Sequence, residues 1–209
     1  MADVVVIGGG GHAKVLIAVL HKLGWDVVGY TDRDDRGAIL GAARLGGDDA
    51  LTAALTRHPD CAALVGVGKI DASSLRLRLQ RDAAALGFET PVVISPHALV
   101  NEDVRLGPGT MLFDGVVVNS GSAIGAACIL NTNATVEHDC VLGDDVHVAP
   151  GATVSGGTRI GDHCMVGAGA IVIQGVSICA GCVLGAGAVV IADISEPGVY
   201  VGSPVRRLP

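Results

Sequence analysis

The chain has 209 residues, a net charge of −7 and a pI of about 5.3; half of it is apolar, 17% is charged and only 2% is aromatic. Such hydrophobicity excludes a disordered chain, and eight prolines without a strict glycine period exclude collagen. With no basic stripe to release counterions, nucleic acid is not an expected partner.

One Trp, two Tyr and two Phe stand beside 31 Gly. The core must therefore be built from Val, Ile, Leu and Ala, in an architecture where small residues fit repeatedly. Val4-Val5-Val6-Ile7 reads as a buried strand and not as the basic start of a signal peptide. A cytoplasmic location is expected, with the six cysteines reduced.

Gly8-Gly9-Gly10-Gly11-His12-Ala13 follows that strand, and a helix is predicted from about His12 to Leu23. A second strand, Asp26 to Tyr30, ends at Thr31-Asp32. A helix near Asp48–Arg57 leads to a third strand, Cys61–Val67, which closes on Gly66-Val67-Gly68. A further helix, with Leu75, Leu79, Ala83 and Leu86 on its apolar side, runs to Gly87. Alternating strands and helices predict a small parallel sheet with crossover helices, half of a Rossmann-like α/β fold.

Gly8, Gly10 and Ala13 fit G-x-G-x-x-A after a strand. Glycines there let backbone N–H groups approach a phosphate at a helix N-terminus. Asp32 is placed to accept a hydrogen bond from a ribose or a base. Three readings compete: a dinucleotide such as NAD, a mononucleotide or nucleotide sugar, and glycines serving only a tight turn. The small sheet favours the second, being half the size of a dinucleotide domain.

The second half is periodic. From Ile94 to Val190, every sixth residue is Ile, Leu or Val, without interruption. Four residues after each aliphatic stands a small one, as at Thr110, Ser122, Ala134 and Ala152. The residue directly after the aliphatic is often Gly or Asn, as at Gly107, Asn119, Gly125 and Gly143, types that tolerate positive φ at a corner. A hexapeptide of this kind is one flat face of a β-helix, and three faces make a coil. About five coils at ~4.8 Å give a prism roughly 25 Å long.

Cys128, Cys140, Cys164 and Cys182 fall in the small interior slot and read as small hydrophobes. Cys164–Ile191 lacks charge, yet its unbroken period makes it part of the prism and not a membrane span. The next aliphatic would fall at Glu196, where the repeat is expected to end. The expected domains are therefore 1–92, 93–195 and a tail, 196–209.

Four motifs carry a family resemblance. They are Gly8-Gly9-Gly10-Gly11-His12, Leu130-Asn131-Thr132, Val136-Glu137-His138-Asp139-Cys140 and Val201-Gly202-Ser203-Pro204-Val205-Arg206. Together they resemble the sialic-acid O-acetyltransferase-like sugar acyltransferases, and most of all the nucleotide-amino-sugar N-acetyltransferases. The resemblance covers nearly the whole chain and implies a left-handed parallel β-helix after the α/β domain. It implies acetyl-CoA as co-substrate, no metal, and a homotrimer with active sites between subunits. The acceptor it implies is the C4 amine of a nucleotide-linked 4-amino-4,6-dideoxy sugar, of the GDP-perosamine or UDP-bacillosamine precursor type. The amine attacks directly within a ternary complex, since the motif offers no cysteine nucleophile.

By the same resemblance His138 is the general base, a role suited to an imidazole near neutral pH. Asp139 matches the acid beside it, although either Asp139 or Glu137 can face the ring. His147 matches a second histidine, expected to donate to the acetyl carbonyl oxygen, and Asn131 an asparagine lining the same pocket. Gly156, Ala168 and Ala186 match positions whose backbone holds the CoA arm. Gly10, His12 and Asp32 match nucleotide-sugar contacts. Gly68-Lys69 is a weaker match, with Lys69 expected to meet a phosphate.

His163 has no matching role and reads as a surface residue. Arg33 stands where the family often pairs a second acid with the residue matching Asp32, which leaves the nucleobase open. Sugar O-acetylation and a non-catalytic nucleotide-sugar sensor remain alternatives. A zinc lyase on a similar β-helix needs a histidine spacing that His138, His147 and His163 do not provide.

Overall fold

The computed structural model describes residues 3–209. The chain divides into two compact units: one runs to Gly68 and includes Leu75–Pro96, and the other holds Lys69–Ser74 and His97–Pro209.

The first unit contains β1 (Asp3–Ile7), α1 (Gly11–Lys22), β2 (Asp26–Thr31), β3 (Arg44–Gly46), α2 (Ala50–Arg57), β4 (Ala62–Val65) and α3 (Leu75–Leu86). Its sheet has the order β3-β2-β1-β4, with every pair parallel. Val4, Val5 and Val6 are fully buried in β1, as a continuous apolar run in a doubly covered strand requires. Helix α1 buries Ala13, Leu16, Ile17, Val19 and Leu20.

Helix α3 buries only part of the side predicted for it: Ala83 is buried and Leu79 packs half-buried against the core. Arg76, Leu77, Gln80 and Ala83 are buried, while Leu75 and Leu86 are exposed. The Arg76 guanidinium donates to the carbonyl of Val65 at 2.9 Å and to that of Val67. Those carbonyls lie at and just beyond the end of β4. A buried cation is tolerable where it makes such bonds.

The second unit is the β-helix. Two-residue strands stack in parallel at intervals of one coil, as in Thr135↔Thr153, Thr153↔Ile171 and Ile171↔Val189. The other two faces stack through Ile129↔His147↔Met165 and Ala123↔Val141↔Arg159. Leu112, Leu130, Val148 and Val166 fill the interior with Ala134, Cys128 and Cys140, all fully buried. Burial pushes the Cys128 and Cys182 thiols up to about 12 and raises Cys140 and Cys164 as well. These sulfurs are packing groups and not nucleophiles.

The corners correct one expectation. Positive φ belongs to the third residue after each aliphatic, from Asp103 and Gly109 through Asp139 and Asp145 to Gly187. It does not belong to the residue directly after the aliphatic. Glycine recurs there for a different reason: a Cβ on Gly125 would lie 2.5 Å from the backbone of Gly143, and one on Gly107 equally close to Gly125. Successive coils simply pass too near each other at that corner.

The last coil is shortened. Ile178 pairs with Ile194 and Leu184 with Tyr200, so the stack advances two residues early. Gly198–Val201 then continues the sheet in parallel and turns back against Arg206–Arg207. No helix among the described residues is long and apolar enough to cross a membrane.

Candidate active site

In the α/β unit the site begins at the β1–α1 loop. Gly8 has φ +103°, and a Cβ there would lie 2.7 Å from Val67. A Cβ on Gly9 would lie 2.4 Å from the Tyr30 ring. Both glycines are required by packing. Around Gly10 and Gly11, in contrast, there is open space. Gly10 caps α1 without a side chain over the helix end, and a helix N-terminus of this kind suits an anion.

A cavity of about 330 Å³ opens there, with Lys14 and Arg36 among its lining and Ile39 and Leu40 as apolar wall. Neither cation is part of a motif, which is why sequence reasoning passes over them. Asp32 supports the loop: its Oδ2 accepts the Gly9 N–H at 2.8 Å and its Oδ1 the Asp34 N–H at 3.0 Å. The Asp34 amide first, then that of Gly9, holds its carboxyl below the usual range. His12 and Gly68 face each other outside the cavity lining, a Cβ on Gly68 falling 3.5 Å from that of His12.

Lys69 does not take the role expected of it. Its side chain is 1% exposed, and its Nζ donates to Asp145 Oδ2 at 3.0 Å and to the Ser73 carbonyl. A buried ammonium committed to a carboxylate cannot reach a phosphate.

In the β-helix, His138 and Asp139 occupy a corner after the strand Thr135–Val136. His138 Nδ1 donates to Asp139 Oδ2 at 2.9 Å. Glu137 is engaged elsewhere, accepting from Asn119 at 2.8 Å, and Asn119 in turn accepts from Asn101 at 2.6 Å. Asp139 is thus the acid that orients the ring. With Nδ1 donating, Nε2 carries the lone pair. Gly156 lies against the ring, and a Cβ there would fall 2.5 Å from Nε2.

His147 is buried in the neighbouring face. Its Nδ1 donates to the Lys69 carbonyl at 2.7 Å. Its Nε2 meets the Asn131 Nδ2 at 3.2 Å, while Asn131 Oδ1 accepts the Thr132 N–H. The Thr132 bond fixes which end of the amide faces His147, so Nε2 is an acceptor. The one N–H of the neutral ring is thus spent on the Lys69 carbonyl and not on the acetyl carbonyl oxygen expected for it. The N–H donors at this spot belong to Asn131.

Sequence reasoning also missed Asp145. Its side chain is fully buried, and its Oδ2 accepts from both Lys69 and His163, the latter at 3.1 Å. His163 is therefore the partner of a buried acid. Asp145 and His163 both stand in the left-handed slot that glycine fills at most coils, but so do Asp103 and Asp139, and the slot alone did not single them out.

Ala168 and Ala186 are exposed on one corner and stack through the bond from Gly187 N–H to the Ala168 carbonyl, 2.8 Å. Asn131 precedes that same corner. The β-helix thus gathers two groups: His138, Asp139 and Gly156 on one corner, and Asn131, His147, Ala168 and Ala186 at the next. The face between them points Leu99, Val117, Thr135, Thr153, Ile171 and Val189 outward. Among the described residues no group of three or more His, Cys, Asp or Glu is gathered to hold a metal ion.

The PglD N-terminal domain matches residues 3–81. The bacterial transferase hexapeptide matches 121–156, and the hexapeptide repeat of succinyl-transferase 157–192. No curated protein sequence matches the chain. Among solved structures, the acetyltransferase domain of PglB from Neisseria gonorrhoeae is 36% identical, with all of both chains covered and a TM-score of 0.90. The GDP-perosamine N-acetyltransferase of Caulobacter crescentus, solved as a histidine-to-alanine variant with CoA and GDP-perosamine, is 38% identical. It covers 100% of this chain and 98% of its own, with a TM-score of 0.93. WeeI from Acinetobacter baumannii, 24% identical with a TM-score of 0.89, shares the fold.

Proposed function

Because the chain belongs to the hexapeptide-repeat nucleotide-amino-sugar N-acetyltransferases, we propose that it moves the acetyl group of acetyl-CoA to the C4 amine of a nucleotide-linked 4-amino-4,6-dideoxy sugar. The observation that carries this reading is His138, with Nδ1 on Asp139 and Nε2 directed over a glycine. An amine attacking a thioester forms a C–N bond, breaks the C–S bond and releases a proton. His138 takes that proton at Nε2, and Asp139 stabilises the resulting imidazolium. The departing thiolate recovers the proton. Asn131 supplies a donor for the oxygen that gains charge during attack.

The diphosphate of the acceptor is assigned to the α1 N-terminus at Gly10 and Gly11, with Lys14 and Arg36 supplying charge. Ala168 and Ala186, with Gly156, suit the CoA arm because no side chain beyond a methyl obstructs their backbone amides. The reading includes a homotrimer. The apolar outward face lies between the two corner groups, and packing it against another copy would set His138 of one chain toward the Asn131 corner of the next. A cytoplasmic location belongs to the same reading and is supported by reduced cysteines and by these substrates.

The test is thiol release from acetyl-CoA against a panel of UDP-, GDP- and dTDP-linked amino sugars. Release with a 4-amino sugar and an alkali-stable acetyl on the product is expected. An alkali-labile acetyl would make the acceptor a hydroxyl. Tight nucleotide-sugar binding without thiol release from any panel member would reduce the chain to a sensor.

A further inference from the structure

The acetyl-transfer chemistry leaves unused a buried ion pair in the second unit. Lys69 and Asp145 are 1% and 0% exposed, with Nζ 3.0 Å from Oδ2. His163 Nδ1 shares the same oxygen at 3.1 Å. The other carboxylate oxygen, Oδ1, is buried and without a hydrogen-bond partner. The Asp145 backbone has φ 55°, in a slot that is glycine at 109, 115, 121 and 151. A left-handed acid with one oxygen unsatisfied is costly to keep.

What the pair holds is the segment Lys69–Ser74. The ammonium also donates to the Ser73 carbonyl, and Asp71 accepts the Ser73 N–H at 2.9 Å. The anchored residue then uses its own carbonyl on His147 Nδ1, 2.7 Å away. A carbonyl only accepts, so Nδ1 must carry the proton and Nε2 the lone pair. The Asn131 amide must turn its Nδ2 to Nε2, and the Thr132 N–H holds its Oδ1 from the other side. Buried charge, loop carbonyl, ring tautomer and amide orientation form one chain of constraints.

We propose that Lys69 and Asp145 are positioning residues, whose buried pair fixes the Lys69 carbonyl on His147 and thereby sets the orientation of Asn131. The proposal rests on the reading of Asn131 and His147 as part of the acyl-transfer site. Neither Lys69 nor Asp145 touches substrate. They act on the direction in which Asn131 presents its remaining N–H, and a small misplacement of such a group lowers the rate more than the affinity.

Nitrogen-15 spectra of the imidazoles report the His147 tautomer without any substrate. Wild type is compared with Lys69→Met, with Asp145→Asn, and with the double variant Lys69→Met/Asp145→Leu. The double variant avoids leaving one buried charge unpaired, which could unfold a single variant. The expected result is that the Nδ1–H signature of His147 gives way to a mixture of tautomers while the His138 signals stay in place. In the same variants kcat falls about tenfold, with both KM values within about twofold of wild type. A folded double variant that keeps the His147 signature and its kcat overturns the proposal, whatever its melting temperature. Absence of acetyl transfer in wild type would overturn the functional reading, and the nitrogen spectra would still decide the positioning role.

Discussion

The β-helix keeps fold and chemistry in separate slots, whereas the α/β unit puts both into one loop. In the β-helix the interior aliphatics and small residues carry the stack. The side chains of His138 and Asp139 are exposed on a corner, outside that interior. In the α/β unit, Gly9 packs against the Tyr30 ring and has its N–H held by Asp32, and the next residue faces the cavity. A repeating scaffold frees its corners for function. A single βα turn has no spare positions, so changes there should disturb folding and binding together.

The largest expected effect is at a corner. His138→Ala should lower kcat by about 10²–10⁴ through loss of the base, with no change in melting temperature and with CoA binding intact. Initial rates beside thermal denaturation measure both halves. A variant that retains more than about a tenth of the wild-type rate removes His138 as the base.

Next comes the loop. Gly9→Ala places a Cβ 2.4 Å from the buried Tyr30 ring, whose hydroxyl is bonded to the Gly37 carbonyl. Overpacking of this kind costs about 1–3 kcal/mol, and KM for the nucleotide sugar should rise with it. Gly10→Ala meets nothing within 4 Å and should raise KM alone. Equal melting temperatures for the two variants would break the contrast between shared and separate slots.

The same contrast explains what could be read in the sequence. The interior period was legible because one rule repeats at every coil, and the structure places Val100 to Val190 accordingly. The corners were only half legible. Glycine marks both the left-handed slot and the close-approach slot, and composition does not separate a φ requirement from a contact requirement. In the α/β unit β1, β2, β4 and the three helices lie within a few residues of their predicted positions, whereas the short β3 at Arg44–Gly46 had no predicted counterpart. The buried side of α3 was half legible: Ala83 and Leu79 follow the pattern, whereas Arg76 is buried because it answers to carbonyls near the end of β4. The Asp145 pair was hidden for the same reason: Lys69 stands 76 positions earlier, and no local pattern links the two. The short final coil breaks the period just where Ile194 takes the slot expected at position 196.

A smaller effect is expected at Gly156. A Cβ there would fall 2.5 Å from His138 Nε2. The ring is exposed and can swing away, so Gly156→Ala should leave the coil intact. Displacing the base should lower kcat about tenfold. A melting temperature that falls as far as that of Gly9→Ala would show that this corner also carries the fold.

The smallest effect concerns Asp32 and acid. Amide bonds from Asp34 and then Gly9, with the charges of Arg36 and Arg44, hold its carboxyl below the usual range. A carboxyl depressed in the folded state contributes stability that is present above its unfolded value, ~pH 4, and lost as pH falls through the folded value. Asp32 is partly exposed, so solvent screens the contribution and it stays small. Asp32→Asn removes the titration, and its amide replaces one acceptor by a donor aimed at an N–H. The variant should therefore be slightly less stable than wild type at neutral pH, and the gap should close as the pH drops below ~4. Melting temperatures of both proteins from pH 7 down to pH 3 measure it. A gap that stays constant across that range would mean that Asp32 supports the loop by shape and not by charge, and the α/β unit would then resemble the β-helix more closely than its hydrogen bonds suggest.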